Sequence, residues 1–246
     1  MKIAVISDIH GNMQALEAVL ADIEKQGCEK MFCLGDLAMA GPEPVKAIEL
    51  IKKLYDEGKL ELIQGNTDQM IANYEEFGEI VKAKVPVMVN ALENDVKIIP
   101  DDLKEFLRGL PKQKELILEE VKTLLVHGSP RKNDENISHD LHIKKIEEII
   151  SGTDATLIFC GHTHIPCGYQ TKNKQNVINV GSVGRPFTPK AQACYVVADF
   201  LGKAFDISHK FIDYDNQKAS EILAKRDIKG AEKLAKTLII PEFRHF

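Results

Sequence analysis

The chain has 246 residues, which is enough to bury a full hydrophobic core as a single α/β domain. Its formal net charge of −5 comes from mixed acidic and basic residues, so the basic surface typical of nucleic-acid-binding proteins is not expected. The five cysteines lack paired CxxC spacing, and the first apolar run, residues 3–6, is far too short for a signal peptide or a membrane span. We therefore expect a soluble cytoplasmic protein with reduced thiols that binds neither membranes nor nucleic acid stably.

The first element is a predicted buried strand at residues 2–7, in which residues 3–6 are continuously apolar. It leads directly into Asp8 and His10, two side chains that commonly bind metal ions. The following residues, 13–25, carry apolar side chains on one helical face, and Gly27 is a typical end for such a helix. This helix is expected to be structural.

Two further strands end in polar residues of the same kind. Residues 31–34 form a short predicted strand that is followed by Asp36. Residues 60–63 form another, and Asn66 after it could offer its carbonyl oxygen to a cation. An asparagine after a glycine is more commonly part of a turn, so both interpretations of Asn66 remain open on this stretch alone.

Residues 69–112 lack a strand pattern and are interpreted as a helical insertion that covers the site. The helical parts are predicted at residues 70–84 and 101–110. Because the insertion directly follows Asn66, it must begin at the rim of the site. We expect it to govern which substrates enter, with a purely stabilising cap or an oligomer contact as the alternative.

The next ligand candidate follows a predicted hairpin. Residues 116–118 and 123–126 have the pattern of two paired strands joined by a short turn, and the second strand ends at His127. Its position repeats the arrangement of Asp8 and Asp36, a polar side chain directly after an apolar strand.

Two more histidines follow the apolar run at residues 157–159. His162 and His164 are separated by one residue, so on an extended segment both side chains would point the same way. Two polar loop residues are an equally good interpretation of this stretch alone. His139 and His142 fall at the start of a charged predicted helix that runs to residue 150 and are expected to be solvated surface residues.

The remaining segments complete the expected secondary structure. Residues 167–171, 177–180, 193–200 and 204–212 have strand patterns and suggest a second, largely antiparallel sheet. Residues 217–226 are predicted to be a helix in a C-terminal tail that spans about residues 216–246, and residues 233–246 have no assigned structure. The whole chain, residues 1–246, is interpreted as one domain.

Every candidate ligand lies at the end of a predicted strand, where open α/β folds place their ligand sites. The set contains more nitrogen and oxygen donors than one zinc ion uses and suits two divalent metals: Asp8, His10, Asp36, Asn66, His127, His162 and His164. Two metals indicate hydrolysis of a phosphate ester.

The sequence blocks DIHGN, GDLAMAGP, GNTD, VHGSP, GHTH and NVGSVGRP occur in this order between residue 1 and about residue 199. This order resembles the calcineurin-like metallophosphoesterases, especially their small prokaryotic phosphodiesterase branch. The resemblance implies a four-layer α/β/β/α sandwich of two mixed sheets flanked by helices. It is specific for fold and metal chemistry, and much less so for substrate.

Matching the blocks also assigns the metal ligands. The resemblance implies that Asp8, His10 and His164 bind one metal, that Asn66, His127 and His162 bind the other, and that Asp36 bridges the two. The expected catalytic residues are Asp36, Asn66 and His127. Two cations about 3.5 to 4 Å apart would supply a hydroxide at neutral pH and neutralise the phosphoryl oxygens.

The sequence departs from the family pattern at two positions. Many members have a histidine that protonates the leaving group, paired with an aspartate a few residues after the bridging one. Here those positions hold Thr67 and Met39, so both halves of the acid dyad are missing. The departure disfavours substrates with poor leaving groups, such as phosphoserine, without affecting the metal ligands.

Three further residues are candidates for binding the substrate. Arg131 and Arg185 follow loops that carry ligands or glycines, and a guanidinium group can bind phosphate in a bidentate way. A surface position is an equally good interpretation for either arginine. Asn12 could also hydrogen-bond the substrate, although a turn or helix cap would explain it equally well.

The leading hypothesis is a dinuclear phosphoesterase that hydrolyses a small phosphodiester or nucleotide-type ester by metal-activated hydroxide. Manganese is the expected metal, with iron, nickel, cobalt or zinc as alternatives. A non-catalytic scaffold with the same fold and a protein phosphatase are the other hypotheses. Competent residues at all seven ligand positions favour the enzyme over the scaffold.

Overall fold

The computed structural model describes residues 1–84 and 86–240, and this part of the chain forms ten strands and nine helices. The strands are β1 (Lys2–Ile6), β2 (Lys30–Cys33), β3 (Leu60–Leu62), β4 (Gln113–Leu118), β5 (Val121–Val126), β6 (Leu157–Cys160), β7 (Cys167–Gln170), β8 (Asn176–Asn179), β9 (Ala193–Leu201) and β10 (Ala204–Ile212). The helices are α1 (Met13–Gln26), α2 (Pro44–Asp56), α3 (Asn66–Ala72), α4 (Tyr74–Lys84), α5 (Pro86–Ile98), α6 (Asp101–Arg108), α7 (Ile143–Ile149), α8 (Asn216–Ala224) and α9 (Ala231–Lys236).

Strand β1 shows how the sequence builds a core on both faces of a sheet. Ile3 and Val5 point into the core between the two sheets, whereas Ala4 and Ile6 pack against the helices on the other side. This alternation follows from the two-residue period of side chains along a strand. All four side chains are fully buried, which explains why the run is continuously apolar.

The strands form two mixed five-stranded sheets. The first has the order β10-β9-β1-β2-β3, and the second has the order β4-β5-β6-β8-β7. The expectation that residues 167–212 form one antiparallel sheet is wrong, because β9 and β10 join the first sheet through antiparallel pairing of β9 with β1. In the second sheet β5, β6 and β8 are parallel, and β4 and β7 are the antiparallel edges. Strand patterns alone do not specify the pairing partner.

Helices cover the outer face of each sheet. Helix α1 packs on the first sheet with Leu16 and Val19 in the core, and Gly27 ends it in the left-handed conformation with a φ of 68°. Helix α7 covers the second sheet with Ile146 and Ile149. The resulting layers confirm the predicted sandwich of two mixed sheets flanked by helices.

The insertion at residues 69–112 is more helical than its sequence indicates. Its described residues contribute to four helices, α3 to α6, and the predicted helix at residues 70–84 is interrupted at Asn73. Helix α5 has no counterpart in the sequence-based prediction. Its sequence contains Asn90, Asn94 and the fully buried Asp95, which weaken the apolar pattern that normally identifies a helix.

The segment after β10 packs against the same core. The predicted helix at residues 217–226 is present as α8, and Leu223 is buried. The short helix α9 follows, in a segment to which the sequence pattern assigned no structure, and residues 241–246 of that segment lie outside the described part. Among the described residues, no helix is both long enough and apolar enough to cross a membrane.

A buried ion pair joins the insertion to this C-terminal segment. Arg226 binds the carboxylate of Asp95, whose side chain is fully buried, and also donates to the carbonyl oxygen of Gly41 over 2.6 Å. The second oxygen of Asp95 accepts a hydrogen bond of 3.2 Å from the backbone N–H of Ala40. Burial raises the pKa of Asp95 even though the charge of Arg226 acts in the opposite direction.

Arg226→Met is therefore expected to lower the free energy of unfolding at neutral pH by about 3–5 kcal/mol, because it leaves a buried carboxylate without its cation. The double variant Asp95→Leu, Arg226→Met removes both charges and should be clearly more stable than the single variant. Denaturant unfolding of the three proteins measures both differences. A single variant as stable as the wild type would show that the pair does not hold the two segments together.

Candidate metal centre

The candidate ligands converge because the strands that precede them share one edge of the sandwich. Strands β1, β2 and β3 are parallel, and so are β5 and β6, so the loops after them emerge at the carboxyl ends. These loops, with the start of α3, carry all seven predicted ligands: Asp8, His10, Asp36, Asn66, His127, His162 and His164. The structure thus brings together residues that are up to 156 positions apart, as between Asp8 and His164.

The backbone at the site is strained. Five of these residues have positive φ angles, between 48° and 68°: Asp8, His10, Asp36, His162 and His164. Non-glycine residues rarely adopt this conformation, and such strain concentrates at functional sites. The neighbouring glycines are equally constrained, since a Cβ at Gly65 would come within 2.1 Å of Asp36 Oδ1 and one at Gly161 within 2.5 Å of Asp8 Oδ2.

The first cluster consists of Asp8, His10 and His164. The Nε2 atoms of the two histidines are 3.1 Å apart, and Asp8 Oδ1 lies 3.2 Å from His164 Nε2 and 3.8 Å from His10 Nε2. The other oxygen of Asp8 accepts a hydrogen bond of 3.0 Å from the backbone N–H of His162, which fixes the carboxylate. Asp8 Oδ1 is buried and has no hydrogen-bond partner among the described residues.

Backbone carbonyl groups determine which nitrogen of each imidazole is free to bind a metal. His10 Nδ1 lies 3.0 Å from the carbonyl oxygen of Met39, and His164 Nδ1 lies 2.7 Å from that of Arg185. These carbonyls require a proton on Nδ1, so in the neutral rings both Nε2 atoms present lone pairs to each other. Two facing lone pairs beside a carboxylate oxygen fit a cation between them, and this donor set suits a divalent transition metal.

The second cluster is built around His127. Its Nδ1 atom lies 2.9 Å from the carbonyl oxygen of Leu34, and its Nε2 atom lies 2.9 Å from Asn66 Oδ1 and 3.4 Å from Asp36 Oδ1. The ring of His162 lies edge-on to that of His127, with 5.3 Å between the ring centroids. This arrangement directs the Nε2 atom of an imidazole at two side-chain oxygens, where it can hold either a proton or a metal ion.

Asp36 lies between the two clusters. Its Oδ2 atom is 3.7 Å from His10 Nε2, and its Oδ1 atom is 3.4 Å from His127 Nε2. The backbone N–H of Thr67 donates to Oδ1 over 2.8 Å, which holds the carboxylate in this orientation. One oxygen therefore faces each histidine cluster.

The charges of the buried side chains also fit a cation. Burial lowers the pKa of the His127 imidazole, but the carboxylates of Asp36 and Asp8 outweigh this effect and raise that pKa to about 10. Burial and the neighbouring charge of His127 lower the pKa of His162 to about 4, so this ring is neutral at pH 7. A proton and a metal ion compete for the same Nε2 atom of His127, since both are attracted by these carboxylates.

Asp68 is a site residue that the sequence reasoning missed. Its Oδ2 atom accepts hydrogen bonds from the backbone N–H groups of Asp36 and Gly65 over 2.8 and 2.9 Å, and its Oδ1 atom accepts one from Leu37 over 2.9 Å. Burial and the charge of Asp36 raise its pKa to about 6. The spacing of Gly65 and Asp68 matches that of a helix N-cap and its third residue, a capping signal that could have identified it.

The structure shows what occupies the positions of the absent acid dyad. Thr67 donates its hydroxyl hydrogen to the carbonyl oxygen of Ala38 over 3.1 Å. Met39 is buried with a φ of 86°, and its contribution to the site is the carbonyl group that orients His10. Neither side chain is an imidazole or a carboxylate, so neither can act as the paired acid of the family pattern.

Two of the predicted substrate-binding residues have protein partners instead. Asn12 is fully buried, donates to the carbonyl oxygen of Gly184 over 2.9 Å and caps helix α1 by accepting from the N–H of Ala15 over 3.2 Å. Arg131 is exposed and forms ion pairs with Glu135 and Glu148. These contacts favour the structural alternatives that the sequence left open for both residues.

Arg185 has a different environment. It is 7% exposed, its carbonyl oxygen accepts a hydrogen bond from the ring of His164, and it lines a cavity formed with helix α5 and the chain around helix α9. Phe187, two residues further on, stacks on the ring of His164 with 4.8 Å between the centroids. The position of Arg185 is compatible with binding a phosphate group, which remains a prediction.

Residues 1–203 match the family model of the calcineurin-like phosphoesterase superfamily domain. An uncharacterized protein of Methanocaldococcus jannaschii is 33% identical over 241 residues, covering 91% of this chain and 92% of that protein.

Two solved structures share the fold over nearly the whole length. A hypothetical protein from Pyrococcus horikoshii has a TM-score of 0.87 with 23% sequence identity, and the match covers 99% of each chain. A metallophosphoesterase from Sphaerobacter thermophilus has a TM-score of 0.78 with 24% identity, and the match covers 97% of this chain and 98% of that one. At these identities the likeness establishes the fold.

Proposed function

Since this chain belongs to the calcineurin-like phosphoesterase superfamily and is a metal-dependent phosphoester hydrolase, we propose that it uses two divalent metal ions to cleave a phosphodiester or nucleotide-type ester. The observation that carries the proposal is the pair of facing imidazole lone pairs on His10 and His164 beside the unpartnered oxygen of Asp8. Two cations at such a site would lower the pKa of a water molecule and neutralise phosphoryl oxygens.

The residues of the chain would divide this task. Asp8, His10 and His164 would hold one ion, and Asn66, His127 and His162 the other. Asp36 would bind both through its two oxygens, which supports a bridging role because each oxygen faces a different cluster. The carbonyl groups of Met39, Leu34 and Arg185 would keep the three Nδ1-bonded rings in the tautomer that binds metal through Nε2: His10, His127 and His164.

Manganese is the metal we propose, because mixed imidazole, carboxylate and amide ligands suit it and because the site is built from nitrogen and oxygen donors. Asp36, Asn66 and His127 are the proposed catalytic residues, since Asn66 Oδ1 and Asp36 Oδ1 lie 2.9 and 3.4 Å from His127 Nε2. A small phosphate ester in the cytoplasm is the proposed substrate.

A screen of phosphomonoesters, phosphodiesters and nucleotides with added manganese tests this function. We expect 4-nitrophenyl phosphodiesters and nucleotide-type substrates to be hydrolysed, and phosphoserine peptides to be poor substrates because the dyad positions hold Thr67 and Met39. The variant His164→Ala, which removes one ligand of the first cluster, is the negative control. Preferred hydrolysis of phosphoserine peptides would instead support a protein phosphatase, and the absence of all manganese-dependent hydrolysis would support the scaffold.

A further inference from the structure

A cavity of about 770 Å³ is lined by helix α5 of the insertion and by the chain around helix α9. Met88 and Asn90 line it from α5, and Lys233, Leu234 and Lys236 line it from α9. Its volume is within the range of about 300–1,000 Å³ that is typical of small-molecule sites. The cavity therefore has room for a substrate group in addition to the phosphate at the metal centre.

The lining of this cavity is strongly cationic. Arg185, Lys229, Lys233 and Lys236 contribute positively charged side chains, and none of the described residues that line it is acidic. The whole chain has a formal net charge of −5, so this concentration of positive charge is a local feature. Clefts lined by one sign of charge attract ligands of the opposite sign.

The same cavity also has an apolar wall. Met88, Leu234 and Ile240 line it beside the cations. Lysine and arginine side chains add their own apolar stems to such a surface. This combination fits a ligand that carries an anionic group next to a hydrophobic or flat organic group.

Arg185 connects this cavity to the metal centre. Its side chain lines the cavity, while its carbonyl oxygen accepts the hydrogen bond from His164 over 2.7 Å. Phe187, two residues after Arg185, stacks on the ring of His164 with 4.8 Å between the centroids, so this short segment contacts the first cluster at two points. Arg185 is thus the residue that both lines the cavity and contacts a ligand of the first cluster.

We propose that this cavity binds the part of the substrate beyond the scissile phosphate, and that this part carries a second phosphate beside an apolar group, as a nucleoside bisphosphate does. The inference rests on the proposed hydrolytic function and specifies its substrate class. It also gives the insertion a defined role, because helix α5 supplies part of the wall.

Two substrates that differ by one phosphate test the inference. The first is the 4-nitrophenyl ester of thymidine 5′-phosphate, and the second is the same ester with an additional 3′-phosphate. Both release 4-nitrophenolate, so the chemical step is matched. For the variant Lys233→Ala, Lys236→Ala we expect the KM of the bisphosphate to rise at least about tenfold more than that of the monophosphate, with kcat nearly unchanged for both.

Lys203→Ala is the matched control for the loss of a lysine. Lys203 is exposed in the turn between β9 and β10. The pairing of Lys2 with Asp199 places this turn near the start of β1, at the opposite end of that strand from Asp8 and His10. This variant should keep the wild-type KM for both substrates.

Three results decide the assignment. An equal change for both substrates, or no change for either, would overturn it. A chain shortened to end at Ile240 should retain the difference in KM between the two substrates. Loss of that difference would overturn the proposal, because residues 241–246 and not the lysines of the cavity would then discriminate between them.

If the wild type with manganese hydrolyses neither ester, the proposed function fails. Calorimetric binding of thymidine 3′,5′-bisphosphate and thymidine 5′-phosphate then still decides the cavity, because tighter lysine-dependent binding of the bisphosphate supports it and equal binding contradicts it.

Discussion

Asp36→Asn is expected to lower kcat/KM for every substrate by roughly a thousandfold or more while leaving the fold intact. The amide can still accept the hydrogen bond from the Thr67 N–H through its Oδ1 atom, so the local backbone keeps its partner. It loses the negative charge and replaces the oxygen that faces His10 Nε2 with an NH₂ group. Stabilisation of transition-state charge by metals is worth several kcal/mol, and each 1.36 kcal/mol is about a tenfold change in rate.

This variant is measured by steady-state kinetics with 4-nitrophenyl phosphodiesters, together with its metal content and thermal unfolding. Asp206→Asn is a suitable control, because Asp206 is an exposed carboxylate on β10, opposite Asp199 and thus at the amino end of β1, away from the carboxyl ends of β1 and β2. It should behave as the wild type. Near wild-type turnover of Asp36→Asn with two metals bound would refute the bridging role.

The second large effect concerns the leaving group. The rate is expected to depend steeply on leaving-group pKa, with simple alkyl esters cleaved several powers of ten more slowly than aryl esters or activated anhydrides. General acid catalysis typically contributes a factor of about 10² to 10⁴, and basic leaving groups need it most. The dyad positions hold Thr67, whose hydroxyl group donates to Ala38, and Met39, whose carbonyl group binds His10.

A series of diesters that differ in leaving-group pKa, assayed at saturating manganese with chemistry rate-limiting, measures this dependence. Thr67→His should not restore alkyl ester hydrolysis fully, because Met39 supplies no carboxylate to orient the new imidazole or stabilise its cation. A flat dependence across the series would show that another group donates the proton, and the idea of an acid-deficient site would then be abandoned.

The location of the ligands was predictable from the sequence for a physical reason. Parallel strands deliver the residues after their carboxyl ends to one edge, so Asp8, Asp36 and Asn66 had to be neighbours once β1, β2 and β3 were identified. The histidines after β5 and β6 follow the same rule in the second sheet. Local pattern identifies the strand ends, and the parallel pairing of an open α/β fold makes these ends neighbours.

Other features depend on contacts between distant residues, which no local pattern encodes. The placement of β9 beside β1 depends on which strand offers a complementary buried face, so the alternating pattern of residues 193–200 did not identify the sheet. The pair of Asp95 and Arg226 is separated by 131 positions, and this ion pair adds to the burial of Ala91 and Leu92 in holding helix α5 on the core. The carbonyl groups that orient the imidazole rings are main-chain atoms and leave no trace in residue identity.

Metal stoichiometry measured together with activity tests the central claim most directly. The protein is stripped with a chelator, manganese is added back in steps, and bound metal and diester hydrolysis are recorded for the same samples. We expect two ions per chain, with activity that appears as the site fills, and fewer than two ions in His164→Ala. Full hydrolytic activity in the stripped protein, or a single ion per chain at full activity, would contradict the account.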